Sequence, residues 1–197
     1  MHFEQAYSVM PRPQLEDQAF TLRAIQPADI ETIRQWRNAQ MDVLRQSTVI
    51  TPEAQQRYFA EKVWPQKPLL QPDQILLAIE NDGNFIGYGG LVHVSWRDRR
   101  AEVSFLLDPS IESDFQKREE FFAKYLRLLQ ELAFSDLSLF RLWTETYSHR
   151  TGHIRTLESM GFKLEGRLRN HIALNSGFID AEIHGSLLND WRGNHEK

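Results

Sequence analysis

The amino-acid sequence predicts a mixed α/β fold, in which helices cover both faces of a central β-sheet. Short segments rich in apolar and β-branched residues alternate along the chain with longer segments whose apolar residues recur at helical spacing. Three strand-like segments follow one another between residues 74 and 107 and are joined by tight turns, which is typical of an antiparallel meander. A long amphipathic segment at residues 115–134 comes next and favours a sheet packed between helices.

The first predicted elements are one strand and two helices, which follow an N-terminal arm at residues 1–19. Residues 20–25 alternate apolar and polar side chains in their first four positions and predict a strand. Pro27 suits the first turn of a helix. The apolar stripe of this helix consists of Ile30, Ile33 and Trp36. Thr51 and Pro52 predict a second helix, because threonine is a good N-cap and proline fits the first helical position. The side chains expected to face inward from it are Tyr58, Phe59 and Val63.

The remaining elements complete one domain at residues 20–197. Asp82-Gly83 joins strands at 74–80 and 85–96, since this dipeptide supplies the positive φ angles that a tight hairpin needs. Residues 100–107 form the third strand of the meander. The later elements are a helix at 115–134, a strand at 139–147, a helix at 154–160 capped by Gly161, and two strands between 162 and 188 joined by a turn at 175–177. The predicted order is β-α-α-β-β-β-α-β-α-β-β.

Composition and charge narrow the range of functions. The 197 residues suffice for one domain, and 41% hydrophobic with 25% charged residues is typical of a globular protein. The net charge of -4 argues against a nucleic-acid partner. The absence of cysteine excludes a thiol nucleophile and cysteine-ligated zinc. Since no secretory leader or membrane-spanning run is present in the sequence, we expect a cytoplasmic protein without a membrane partner.

Several strings of residues resemble the GNAT superfamily of acyl-CoA-dependent N-acyltransferases, and they occur in the family's order over residues 20–191. These strings are Gly87–Leu91, Ala101–Pro109, Leu157–Phe162, Glu165–Arg167 and Gly177–Asp180. The last two are similar to the subgroup of ribosomal-protein N-terminal and amino-sugar acetyltransferases, and Trp36-Arg37-Asn38 is most similar to the amino-sugar branch. The resemblance implies an acetyl-CoA-dependent N-acetyltransferase. Its acceptor would be a small amine, an amino sugar or a protein N-terminus, and the protein could be a homodimer.

One segment departs from the family pattern. The family's phosphate-binding loop, Arg/Gln-x-x-Gly-x-Gly/Ala, falls on residues 117–122, where Glu120 and Phe122 occupy the two glycine positions. Glycine serves in such loops because a Cβ would hinder the approach of the backbone to phosphate. The family's asparagine after the fifth strand falls on Arg150, and its tyrosine acid falls on Leu157. A GNAT-like binding domain without catalysis and a structural partner protein without a ligand are therefore alternative interpretations.

The resemblance also implies where acetyl-CoA would bind. The pantetheine amide would pair with backbone groups of Phe105, Leu106 and Leu107 on the strand that the family opens for it. The pyrophosphate would lie at the N-terminus of the long helix, where free N–H groups and the helix dipole favour an anion. Lys117 and Arg118 could compensate there for the missing glycines. Arg150 and His153 are further candidates for contacts with the phosphates. The alternative for residues 116–120 is an ordinary, solvated first helical turn.

Glu102 is the first candidate for the general base. Strand alternation places it on one face with Ser104 and Leu106. A carboxylate in the middle of a strand is costly unless it is hydrated, paired or used. The alternative is a structural ion pair with Arg99 or Arg141.

His93 and Tyr147 are the other candidates for proton transfer. His93 lies on the neighbouring strand, and an imidazole titrates near neutral pH, although a hydrogen-bonded core histidine is the alternative. Tyr147 follows the fifth predicted strand, where a group could protonate the leaving thiolate. No His-x-x-x-His pair shares a helix with a nearby carboxylate, so no metal site is expected.

The acceptor side is predicted at the end of the first helix. Trp36, Arg37 and Asn38 lie there, and the resemblance places this helix beside the acceptor pocket. Arg37 and Asn38 could bind a carboxylate, a phosphate or hydroxyl groups of an acceptor. With Arg169 and Asp180 they would form a polar site that suits a small polar amine better than a lipid.

Overall fold

The protein is an eight-stranded mixed sheet with helices on both faces, as seen in a computed structural model that describes residues 6–44, 46–174 and 177–195. The strands are β1 (Gln14–Asp17), β2 (Phe20–Ala24), β3 (Ile75–Asn81), β4 (Asn84–Ser95), β5 (Arg100–Leu107), β6 (Arg141–Tyr147), β7 (Lys163–Leu174) and β8 (Gly177–Leu187). The helices are α1 (Ile30–Ala39), α2 (Pro52–Tyr58), α3 (Pro109–Glu112), α4 (Phe115–Glu131), α5 (Thr151–Ser159) and α6 (Leu188–His195). The predicted fold class and the order of the predicted elements are confirmed.

The sheet has the order β1-β2-β3-β4-β5-β6-β8-β7, and a separate apolar core covers each face. One core contains the apolar stripe of α4 with Val103 and Leu107 of β5. The other contains residues of α1 with Leu106 of β5. The two faces that strand alternation predicts for β5 are therefore confirmed, because its odd-numbered apolar residues pack against α4 and Leu106 packs against α1.

Local turn chemistry positions β3 and β4 as predicted. Asp82 and Gly83 have φ angles of 50° and 73°, and Asn81 pairs with Asn84 across the hairpin. Positive φ at both central residues is the geometry that matches the right-handed twist of the two strands. The cap of α2 is also confirmed, since the Thr51 side chain accepts a hydrogen bond from the Ala54 backbone N–H. For the turn predicted at 175–177, residues 175 and 176 lie outside the described part of the chain.

The structure differs from the sequence prediction at three places. The segment expected to be only an arm contains β1, which pairs with β2 and buries Leu15. The short helices α3 and α6 were not predicted. Tyr58 was expected to face inward but is 45% exposed, whereas Phe59 and Val63 are buried. The buried face of this helical segment carries Gln55, Phe59 and Val63, which are four residues apart, and Tyr58 lies one position off that face.

The feature that creates a site is the divergence of β5 and β6. These strands are parallel neighbours and pair only at Arg100–Arg141, Ala101–Leu142 and Glu102–Trp143. Both strands continue beyond these pairs, so a gap opens between them after Glu102. Among the described helices, none is both long and apolar enough to cross a membrane.

Candidate active site

The backbone edge of β5 that faces the gap is defined by its hydrogen bonds on the other side. The Ser104 carbonyl accepts a hydrogen bond from the Tyr125 hydroxyl, which also receives the Gly90 backbone N–H of β4. The Ser104 backbone carbonyl therefore points toward β4, and strand alternation turns the backbone N–H and carbonyl of Phe105 toward the gap. The Leu106 carbonyl faces β4 beside Gly87, and the Leu107 carbonyl accepts from Gln40 Nε2 at 2.8 Å. Of the three predicted pantetheine contacts, Phe105 fits that role best.

A cavity of about 120 Å³ fills the gap between the two strands. Five of the predicted site residues line it together, namely Glu102, Phe105, Tyr147, Arg150 and His153. Its remaining lining residues are Val43, Leu44, Val92, Val103, Ser104, Phe122, Thr144, Glu145 and Thr146. The structure thus brings together side chains from β5, β6 and α5 that are up to 51 positions apart in sequence. We call this space the donor cavity.

Glu102 and His93 form a hydrogen-bonded pair at the rim of the donor cavity. Glu102 Oε2 lies 2.7 Å from His93 Nδ1. The Glu102 side chain is 4% exposed, whereas that of His93 is 69% exposed, so the pair links a buried carboxylate to solvent. Arg99 donates to the Ser138 carbonyl and Arg141 pairs with Glu165, so the two arginines considered as structural partners of Glu102 are engaged elsewhere.

The position of His93 results from an irregularity in β4. The register of β4 and β5 shifts between Val92 and Ser95, and His93 has a φ angle of 49°. A β-bulge re-aims one side chain out of the regular alternation, and histidine tolerates positive φ better than a β-branched residue does. The alternative of a core histidine does not describe His93, because its side chain is exposed apart from the bond to Glu102.

A second cavity of about 380 Å³ lies between the sheet and the helices α1 and α2. It is lined by Ile33, Arg37, Ile50, Ala54, Gln55, Tyr58, Phe59, Gln74, Leu76, Tyr88, Val92 and Ser104. Val92 and Ser104 also line the donor cavity, so the two spaces share a wall next to Glu102. We call this second space the acceptor cavity.

The four residues predicted to bind the acceptor have different places. Arg37 lines the acceptor cavity. Trp36 is buried and packs against Phe85, with 4.7 Å between ring centroids, so it belongs to the core. Asn38 bonds through its amide to both backbone groups of Ile50, which fixes the segment after α1. Arg169 is exposed on β7 and lines neither cavity. The geometry therefore supports Arg37 for binding, while it gives the Asn38 and Trp36 side chains structural contacts.

Residues 117–122 lie inside α4 rather than in a loop that precedes it. The helix begins at Phe115, and the side chain of its N-cap Asp114 accepts from the Lys117 backbone N–H. The Arg118 backbone N–H bonds to the Asp114 carbonyl at 2.9 Å. Backbone N–H groups that the family turns toward phosphate are thus occupied within the helix here, and the cap adds a negative charge. Glu120 pairs with Lys124 on the outer face of the helix.

Phe122 turns away from solvent and packs beneath the donor cavity. It is 1% exposed and stacks on His153, with 3.8 Å between ring centroids and 15° between planes. Phe105 also packs against the Phe122 ring, with 4.4 Å between ring centroids. Burial, followed by the nearby charges of Arg150 and Arg118, holds the pKa of His153 well below its ordinary value. His153 is therefore neutral near pH 7 and does not act as a cationic phosphate ligand.

Two of the three remaining cations of the predicted phosphate site, Arg118 and Arg150, converge on one carboxylate. Arg150 Nη2 lies 2.8 Å and Arg118 Nη1 lies 3.8 Å from Glu112 Oε1. Lys117 is mainly exposed and lies 3.7 Å from Asp114. Glu112 was missed in the sequence, although Asp108 followed by Pro109 is a helix-start pattern that places it in the first turn of α3.

Comparisons with known proteins agree with this geometry. A sequence model described as the acetyltransferase (GNAT) domain matches residues 22–183. The chain belongs to the GNAT N-acetyltransferase family. A search of curated proteins finds no match to this sequence. The fold of this GNAT domain is similar to that of a spermidine N-acetyltransferase from Vibrio cholerae, whose structure was solved in complex with CoA and spermine. The TM-score is 0.76 and the sequence identity is 17%, and the match covers 89% of this chain and 99% of the Vibrio cholerae chain.

A second solved structure, titled "Probable acetyltransferase", has a TM-score of 0.68 and 19% identity, over 90% of this GNAT domain and 98% of its own chain. Both likenesses show the fold. Within the described residues of the GNAT domain, no group of three or more histidine, aspartate or glutamate side chains is arranged to hold a metal ion.

Proposed function

We propose that this GNAT domain transfers the acetyl group of acetyl-CoA to the primary amine of a small molecule. The observation that carries the proposal is the shared wall of the two cavities. Val92 and Ser104 border both spaces, and the Glu102–His93 pair lies beside that wall. A thioester held between β5 and β6 would therefore meet an amine held under α1 and α2 beside a buried carboxylate that can accept a proton.

The proposed chemistry assigns a role to three side chains. Acetyl-CoA supplies the thioester whose C–S bond breaks as the amine nitrogen forms the new C–N bond. Glu102 takes the proton that the attacking amine must lose, and His93 connects Glu102 to solvent so that this proton can leave. Tyr147 lies at the end of β6 on the wall of the donor cavity, where its hydroxyl can protonate the departing sulfur.

The residues of the donor cavity fit acetyl-CoA through a different arrangement from a glycine loop. The open edge of β5 at Phe105 suits an amide of pantetheine, because a strand edge offers one donor and one acceptor. Arg118 and Arg150 supply positive charge beside that edge and would exchange Glu112 for phosphate. Lys117 remains a peripheral candidate, since it is exposed and lies near Asp114.

The acceptor cavity favours a small molecule over a protein N-terminus or a large amino-sugar conjugate. Its volume of about 380 Å³ is at the lower end of ordinary ligand pockets. A relative in fold is described as a spermidine N-acetyltransferase in complex with spermine, which supports an amine acceptor without identifying it. A cytoplasmic location, the lack of nucleic-acid or membrane partners and a possible homodimer remain predictions.

A second function is favoured by one observation at α4. The Lys117 and Arg118 backbone N–H groups donate to Asp114 and are therefore not available to a phosphate, which suits a GNAT-like binding domain that has lost its phosphate cradle. Such a domain would hold a CoA thioester or a related ligand in the donor cavity without transferring its acyl group. A structural partner protein without any ligand is less favoured, because two adjoining cavities are present.

Titration calorimetry with acetyl-CoA and an acetyl-transfer assay separate these functions. The chain contains no cysteine, so a thiol reagent detects only the CoA that is released. We expect binding at low salt and CoA release that depends on an added primary amine. Binding without transfer across a broad amine panel would support the non-catalytic domain. No heat with millimolar acetyl-CoA would contradict both functions.

A further inference from the structure

The acceptor cavity has an unusual balance of charge for a site that receives an amine. Among its twelve described lining residues Arg37 is the one that carries a full charge at neutral pH, and none is a carboxylate. The other lining side chains with nitrogen or oxygen are glutamines, tyrosines and Ser104. A polyamine keeps further ammonium groups after one nitrogen has reacted, and buried ammonium groups need carboxylate or carbonyl partners. The wall of this cavity offers a cation instead.

Most other polar side chains of the cavity are already engaged with the protein. Gln74 accepts from the Tyr58 hydroxyl and donates to the Lys62 carbonyl. Gln55 donates to the Ile30 carbonyl. These bonds hold α2 and the segment after it against the sheet. The groups that remain to recognise a ligand are therefore few, and they concentrate at Arg37 and its neighbour.

Arg37 and Tyr88 form a pair of converging donors. Arg37 Nε donates to Gln46 Oε1 and Nη1 donates to the Tyr88 hydroxyl at 2.8 Å. Within the described chain, Nη2 has no hydrogen-bond partner, and the hydroxyl hydrogen of Tyr88 has no acceptor. Tyr88 is 6% exposed, and burial raises the pKa of its hydroxyl, so it stays a neutral donor. The two side chains thus present N–H and O–H groups to the cavity beside a fixed positive charge, which is what an anion requires.

The anion site and the reaction site lie at different points of the same wall. Tyr88 and Val92 are four positions apart on β4, which corresponds to about 13 Å between Cα atoms in a regular strand. Val92 and Ser104 mark the border with the donor cavity. A molecule that spans the cavity can therefore place an amine near Glu102 while a second group reaches Arg37. Between these points the wall is largely apolar, with Ile33, Phe59 and Leu76.

We infer that the acceptor is a bipolar small molecule, with a primary amine at one end, an apolar body and an anionic group that Arg37 and Tyr88 bind. This inference rests on the proposed function and adds the class of its acceptor. The anionic group is a carboxylate or a phosphate, since a guanidinium binds either through paired N–H bonds. Polyamines, which are acetylated by a relative in fold, are excluded as preferred acceptors by the same charge.

The test uses rigid amines of equal length that differ in the charge of one end. The probes are 4-(aminomethyl)benzoate, 4-(aminomethyl)phenylphosphonate, 4-(aminomethyl)benzamide and 1,4-bis(aminomethyl)benzene, with spermidine as a fifth. We measure kcat/KM for CoA release and, separately, binding of each probe by calorimetry. The expected order is anion above neutral amide above dication, with at least a tenfold difference between the anion and the amide. The ratio of benzoate to phosphonate then identifies which anion fits the site.

Variants of Arg37 show whether that charge sets the preference. Arg37→Gln is expected to reduce the anion-to-amide ratio at least tenfold, and Arg37→Lys to restore part of it. Arg57→Gln is the matched control, because Arg57 is an exposed arginine of α2 that does not line the cavity. A preference for spermidine or the dication, or an anion preference that survives Arg37→Gln, would overturn the inference.

Failure of the inference and failure of the proposed function give different results. If acetyl-CoA binds but no probe is acetylated, binding of the anionic probes still decides the inference. Binding of the benzoate or the phosphonate that is lost in Arg37→Gln and kept in Arg57→Gln supports it. Absence of such binding at millimolar concentration contradicts it. If acetyl-CoA itself does not bind, the proposed function fails first, whatever the amines do.

Discussion

Replacing Glu102 by glutamine is the most direct perturbation of the proposed proton path. The amide has nearly the volume of the carboxylate, and the side chain is only 4% exposed, so the packing should survive. The amide cannot accept the proton of the attacking amine. General base catalysis contributes about 10²- to 10⁴-fold, so we expect kcat to fall by about 10² or more, equivalent to about 2.7 kcal/mol on the barrier. Acetyl-CoA affinity should remain unchanged, because Phe105, Arg118 and Arg150 keep their positions.

His93 provides the second arm of this experiment. Its bond to the buried carboxylate is 2.7 Å long, and a hydrogen bond to a charged group contributes about 1.5–3 kcal/mol. Because His93 is 69% exposed, solvent screening reduces this to about 1 kcal/mol, which corresponds to roughly a fivefold loss of kcat in His93→Gln. Both residues act on one proton. The double variant should therefore be no slower than Glu102→Gln alone.

The assay is release of CoA at saturating acetyl-CoA, with thermal unfolding of each variant as the control for folding. A folded Glu102→Gln protein with unchanged kcat would remove Glu102 from the mechanism. Losses that multiply in the double variant would refute the shared path and assign His93 a separate role.

Three further predictions follow from contacts elsewhere in the structure. Arg150→Ala should weaken acetyl-CoA binding roughly tenfold and Glu112→Gln should strengthen it, because the Glu112 carboxylate competes with phosphate for the Arg150 guanidinium. Calorimetry measures both affinities. An equal change in the affinity for S-acetyl-pantetheine, which has no pyrophosphate, would contradict this reason. Burial lowers the pKa of the His153 imidazole well below 6.5, so just below pH 6.5 this side chain binds a proton in the unfolded chain but not in the folded one. The free energy of unfolding should thus fall as the pH drops below about 6.5, by at most about 1.4 kcal/mol per pH unit. Urea denaturation between about pH 5 and 7 measures this free energy, which should change less with pH in His153→Phe than in the unmodified protein. An identical pH dependence in both proteins would contradict the prediction. Gly90→Ala should lower the free energy of unfolding by about 2 kcal/mol or more, because the residue has a φ of 135° and an added Cβ would lie 1.9 Å from a carbonyl oxygen of β3. Gly166→Ala is the matched control, because an added Cβ there meets nothing within 4 Å, and it should leave the free energy of unfolding nearly unchanged.

Part of the site could be predicted because it depends on local periodicity. The alternation in residues 100–107 was enough to place Glu102 and Ser104 on one face of a strand, and both line the donor cavity. The helical starts at Pro27 and Thr51 were predicted by cap chemistry, which acts over three or four residues. Arg37 at the end of α1 was found through the family resemblance, which places this helix beside the acceptor pocket.

Other parts could not be predicted, because they depend on which elements become neighbours. The start of α4 at Phe115 was predicted, but the hydrogen bond that its N-cap Asp114 accepts from the Lys117 backbone N–H was not. The direction of Phe122 was open until the position of His153 was known, and these residues are 31 positions apart. Arg150 and Glu112 meet only because α3 and the start of α5 lie beside each other.

The sequence by itself determined the order of the elements, the two faces of the central strands and the residue types available for proton transfer. These properties follow from side-chain period and turn chemistry, which are local. The tertiary structure decided that β5 and β6 separate after Glu102, that the bulge in β4 turns His93 back onto that carboxylate, and that two cavities share the wall at Val92 and Ser104. Each of these depends on pairing register and on the packing of helices against opposite faces of the sheet, which are set by contacts between residues far apart in the chain.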